Sequence, residues 1–150
     1  LGTAIVEKYI TKFSPKLEAV VFLTPSPVIK RLQKAFLVNF HNIMRSKSCF
    51  YFSNRLDESV ESVYLDKFTD ESMQIELLMI RKKVPVGYEW NYKTLVMGAL
   101  NDNCMPTSVL LDTAKIFKAK LIIYQEHCHN MMLDPAWEIV AEDILGFILV

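Results

Sequence analysis

The chain has 150 residues, 17 basic and 17 acidic side chains, and a composition that is 51% hydrophobic and 23% charged. A domain of this size buries roughly two-thirds of the surface that its unfolded chain exposes, which supports a real core and argues against intrinsic disorder. Zero formal net charge, with Arg81-Lys82-Lys83 as the only dense basic run, argues against a nucleic-acid partner, because such binding needs many neutralised phosphates. No apolar run approaches the roughly 18 residues of a transmembrane segment.

Cys49, Cys104 and Cys128 are odd in number and widely spaced, unlike a disulfide framework or a zinc knuckle. They fit a reducing, intracellular (cytoplasmic) compartment. The sequence opens at Leu1-Gly2 without Met or a charged leader and reads as a piece of a longer protein.

Along the chain, Ala4, Ile5, Val6, Tyr9, Ile10 and Phe13 recur at helical spacing and are expected to share one face. Ser14-Pro15 ends that helix, because the residue before a proline is pushed out of the α region. Leu17 to Leu23 is dominated by Ala19-Val20-Val21-Phe22-Leu23, a short continuous apolar run suited to a strand covered on both faces, and Thr24-Pro25-Ser26-Pro27 stops it. From Val28 to about Lys83 the pattern is helical and fits three or four helices. Asp57 and Asp70 mark two of the starts, since carboxylates complement a helix N-terminus. A loop containing Pro85, Gly87 and Asn91 closes this block.

The last third changes character. Thr94 to Met97 is a buried strand ending at Gly98, Pro106 opens a helix, Leu121 to Tyr124 is the next strand, and Asp134-Pro135 caps and starts a final helix. Strand, helix, strand, helix with short connections implies an α/β domain with parallel strands. In such sheets functional groups collect on loops beyond the carboxyl ends of the strands. Gly98 to Pro106 and Gln125 to Pro135 are those loops, so an Asp on the first can reach an imidazole on the second. A histidine works as a general base near neutral pH, and a carboxylate on its second nitrogen fixes the tautomer.

Asp102 followed by Pro106, and His129 followed by Met131-Met132-Leu133-Asp134-Pro135, resemble the acid and histidine loops of α/β-hydrolases, closest to lipase- and esterase-like serine hydrolases. Leu1-Gly2 before an amphipathic helix resembles the end of the G-x-S-x-G elbow that presents the serine in that family. The resemblance implies the carboxyl-terminal portion of an α/β-hydrolase fold. Residues 1–24 would be the post-elbow helix and a core strand, 25–92 a helical lid insert, and 93–150 a strand-helix-strand-helix unit with the acid and histidine loops.

It further implies Asp102 and His129 as catalytic residues and the Leu1 backbone N–H as an oxyanion-hole donor. The substrate would be a small-molecule or acyl ester, lipid esters included, with no metal and no cofactor. The serine and the N-terminal half of the same fold would precede Leu1, leaving these 150 residues inactive and the first strand with an open edge prone to aggregation. Phe50, Tyr51 and Phe52 are the lid stretch expected to face substrate.

Within the chain, Ser26 and Ser108 lack the glycine flanks of an elbow, and Cys104 and Cys128 read as small buried hydrophobes. His127, Cys128 and His129 offer only two ligands at i and i+2, with no matching Cys/His pair elsewhere. The other reading left open is a non-catalytic binding or interaction module on a hydrolase scaffold.

Overall fold

The computed structural model describes residues 2–26, 51–68 and 89–150. Helix α1 spans Gly2–Phe13, strand β1 Val20–Leu23, helix α2 Glu58–Leu65 and strand β2 Thr94–Ala99. Helix α3 (Thr107–Phe117), strand β3 (Lys120–Tyr124), a 3-10 turn (Met131–Leu133) and helix α4 (Trp137–Leu149) follow. The strands form a parallel sheet in the order β1-β2-β3, with Phe22 opposite Val96 and Val96 opposite Leu121.

Strand β2 is central and every one of its residues is buried. Both faces of the sheet are therefore covered, as the unbroken apolar strand sequences require. Val20, Phe22 and Val96 point to one face, where Ile10 of α1 and Leu110, Ala114 and Phe117 of α3 complete a core. Leu95, Met97 and Ala99 point to the other, against Met131 and Val140, with Ile144 and Phe147 of α4 at its margin. The result is an α/β arrangement with α1 and α3 on one side of the sheet and α4 on the other.

Among the described residues the expected elements are present, with β1 starting at Val20 rather than Leu17, and other differences have physical causes. Helix α1 does end at Phe13, with Ser14 in the left-handed region at φ 44° and its N–H bonded to the Ile10 carbonyl. Its buried residues, however, are Thr3, Glu7 and Ile10, whereas Ile5, Val6, Tyr9 and Phe13 are exposed. The stripe expected to face the core thus points mostly outward. Pro106 sits one residue before α3, in extended conformation. Asp57 caps α2 by accepting the Ser59 N–H at 2.8 Å, as its acidic start suggested.

Asp134-Pro135 does not cap α4. The helix begins at Trp137, and Asp134 accepts the Ala136 N–H at 3.1 Å while its carboxylate pairs with Arg55. The expected helix from Asp70, most of the 25–92 block, Leu1 and Phe50 lie outside the described residues.

Gly98 lets α3 approach β2 closely. A Cβ built there would stand 2.2 and 2.6 Å from the two methyls of Leu110, which is wholly buried, so Leu110 would have to shift. Gly98→Ala is expected to lower stability by about 1–3 kcal/mol through overpacking, read as a lower midpoint in urea unfolding. An unchanged midpoint would show that Leu110 repacks freely.

Candidate active site

The two loops leave adjacent strands at the same edge of the sheet. Several bonds bind them together at once. The Leu100 N–H donates to the Tyr124 carbonyl at 2.8 Å, and the Asn101 side-chain amide donates to the Gln125 carbonyl at 2.7 Å. The Cys128 thiol lies 3.6 Å from the Asn101 carbonyl. The start of α1 belongs to the same edge, because Ser26 N–H donates to the Thr3 hydroxyl at 3.1 Å and Thr24 N–H donates to the Met97 carbonyl of β2 at 2.8 Å.

Within this frame Asp102 and His129 meet. The imidazole Nδ1–H donates to Asp102 Oδ2 at 2.9 Å, with the carboxylate fully buried and the ring 17% exposed. The other carboxylate oxygen, Oδ1, accepts the backbone N–H groups of Cys104 and Met105, each at 2.7 Å. Three accepted hydrogen bonds fix the carboxylate in orientation, and charge-assisted bonds of this kind are stronger than neutral ones. The tautomer imposed on His129 places the ring lone pair on Nε2.

Burial is the largest influence on the imidazole and pulls its pKa down. The hydrogen bonds to the side chains of Asp102 and Cys104, together with the charge of the Asp102 carboxylate, outweigh it and raise the pKa from 6.5 to about 9. The site therefore stabilises the imidazolium, and a proton held there at rest must leave before the ring can accept another.

Asp102, Cys104 and His129 each present a donor atom, all within 4.8 Å of one another, the one such group among the described residues. Both carboxylate oxygens are already committed to backbone and ring N–H groups. This donor set accordingly reads as an oriented histidine rather than as a cage for an ion. His127 and Cys128 are not part of it. The buried His127 ring lies 3.2 Å through Nε2 from the Ala136 carbonyl and packs on Tyr124 at 4.8 Å between centroids, and Cys128 turns toward Asn101. Cys104 and Cys128 are both free thiols.

Of the expected substrate-facing residues, Tyr51 lies beside the site, its ring edge-on to His129 at 5.8 Å. Phe52 is buried against Tyr64 and Phe68, at 5.9 and 6.0 Å. Arg55, which pairs with both Asp134 and Glu126 of the histidine loop, had no signal in the sequence.

The parallel sheet, with helices on its two faces and the Asp102 and His129 loops at one edge, has the α/β-hydrolase fold shared by the solved structures that superpose on it. Solved structures with that fold superpose on nearly the whole chain. An esterase from Exiguobacterium antarcticum matches 99% of it with a TM-score of 0.74 at 14% identity, and the chain covers 63% of that enzyme. A serine hydrolase involved in carbazole degradation matches 98% with a TM-score of 0.60 at 14% identity, with 60% of its own length covered. A monoacylglycerol lipase from Paleococcus ferrophilus matches 95% with a TM-score of 0.51 at 17% identity, again with 63% covered. The chain thus spans about three-fifths of the length of each of these proteins. No protein-family model and no curated protein matches the sequence. No helix among the described residues is long and apolar enough to cross a membrane.

Proposed function

We propose that the chain is the carboxyl-terminal part of a serine hydrolase acting on carboxylic esters, with Asp102 and His129 as two members of a Ser-His-Asp triad. The single observation that supports this reading most is the 2.9 Å bond between His129 Nδ1 and a buried carboxylate at the carboxyl edge of a parallel sheet. In the reaction, His129 Nε2 takes the proton of a serine as the serine oxygen attacks the ester carbonyl. It returns that proton to the departing alkoxide, and water then releases the acyl group by the same route in reverse order.

The serine lies immediately before Leu1 in this reading. The Leu1 N–H would contribute to the oxyanion hole, and the N-terminal portion of the fold would continue the sheet beyond β1. The exposed apolar residues of α1 and the greater length of the structural neighbours support that arrangement. Residues 25–92 form the lid in this reading, with the Tyr51 ring edge-on to the base. Acyl esters are the substrate class, as the esterase and lipase neighbours suggest, and the chemistry calls for neither metal nor cofactor.

Labelling by a fluorophosphonate tests the reading. The full-length protein should label on a serine preceding Leu1, its His129→Ala variant should label at most weakly, and the 150-residue chain should not label. Equal labelling of the His129→Ala variant would remove His129 as the base. Absence of any labelling in the full-length protein would favour a binding module on the same scaffold.

A further inference from the structure

Residues 51–68 touch the histidine loop at three points. The Tyr51 carbonyl accepts the N–H of Asn130, the residue after His129, at 2.9 Å. The Tyr51 ring meets the imidazole edge-on. Arg55 then reaches both sides of the loop, bonding Glu126 Oε2 before His129 at 2.8 Å and Asp134 Oδ1 after it at 2.5 Å.

The two carboxylates contribute unequally. Glu126 is 75% exposed, and a pair at such a position is worth little. Asp134 is 98% buried, so its charge needs a partner, and removing one side of such a pair leaves an uncompensated charge in the interior. The same Asp134 oxygen accepts the Ala136 N–H that leads into α4, and it lies 3.9 Å from His127 Nε2. Asp134 is therefore the point at which the helix, the buried His127 ring and the lid segment converge.

The geometry points to Arg55 as a positioning residue: its guanidinium, held by Asp134 and Glu126, docks residues 51–68 onto the histidine loop and so keeps the His129 ring against Asp102. This role rests on His129 being the general base, but it acts through the loop, since the bonds of Arg55 go to Glu126 and Asp134. A fork of two N–H groups can engage two carboxylates at once, whereas a lysine ammonium is a point charge.

Hydrogen exchange followed by NMR tests the inference on the same protein without need of turnover. In Arg55→Met, the Asn130 N–H and the His129 Nδ1–H should exchange roughly tenfold faster or more, as expected for local opening, while Val96 in β2 keeps its wild-type rate. Arg55→Lys should fall between the two, and it carries the same test should Arg55→Met fail to fold. Glu126→Gln should change little. Unchanged exchange at Asn130, or equal acceleration at Asn130 and Val96, would overturn the proposal, the second because it would mean only a general loss of stability. A failure of the hydrolase reading would be seen instead in fluorophosphonate labelling and would leave this exchange pattern as it is.

Discussion

Asp102→Asn in the full-length protein is expected to lower kcat for ester hydrolysis by about 10⁴-fold, the usual cost of losing the orienting carboxylate of a serine triad. The cause is readable in the hydrogen bonds around the side chain. Oδ1 accepts two backbone N–H groups, from Cys104 and Met105. An asparagine must keep its carbonyl oxygen there, because its NH₂ group cannot accept those bonds. Its NH₂ then faces His129 Nδ1, which must become an acceptor, and the ring proton moves to Nε2. The imidazole would be held in nearly the same place with its lone pair on the wrong atom. Steady-state kinetics measures the loss, and a variant within tenfold of wild type would show that Asp102 does not set the tautomer.

A second large effect is expected in stability. The folded-state pKa of His129 lies above its ordinary value, at about 9 against 6.5. A raised folded-state value means that the native state binds the proton more tightly. The contribution, about 3 kcal/mol from a shift of this size, is complete below about pH 6.5 and is lost as pH rises to about 9. Urea unfolding of wild type and His129→Gln across that range measures it. The stability difference between the two should shrink with rising pH, and a constant difference would show that the proton is not held by this site. The same proton must leave before the ring can act as a base, so ester turnover should rise with pH over the interval in which stability falls.

How much of this was legible in the sequence depended on whether a feature is local. The strands β2 and β3 were readable because each is an apolar run with a clear stop, and parallel pairing then brought Asp102 to His129 from 27 positions away. The buried face of α1 was not readable. Periodicity locates an apolar stripe but does not choose the partner, and here Thr3, Glu7 and Ile10 face inward. The start of α4 was misplaced because Asp134, a good cap by residue type, is engaged by Arg55 from 79 positions earlier. No spacing rule anticipates an ion pair between such distant residues. Tyr51 is expected to face substrate, yet its carbonyl also joins residues 51–68 to the histidine loop at Asn130, a backbone bond that any residue there could have made.

The single crossover through α3 that joins the acid loop to the histidine loop has a kinetic consequence. The entropy of closing a loop grows only slowly with its length, and the chain between Asp102 and His129 is shortened further by a helix that packs on both strands as it forms. Assembly of the dyad is thereby a short-range folding event, set by the nucleation of one β-α-β unit. During synthesis this unit can close as soon as its own stretch has emerged, with residues 51–68, already synthesised, left to dock onto the histidine loop afterwards.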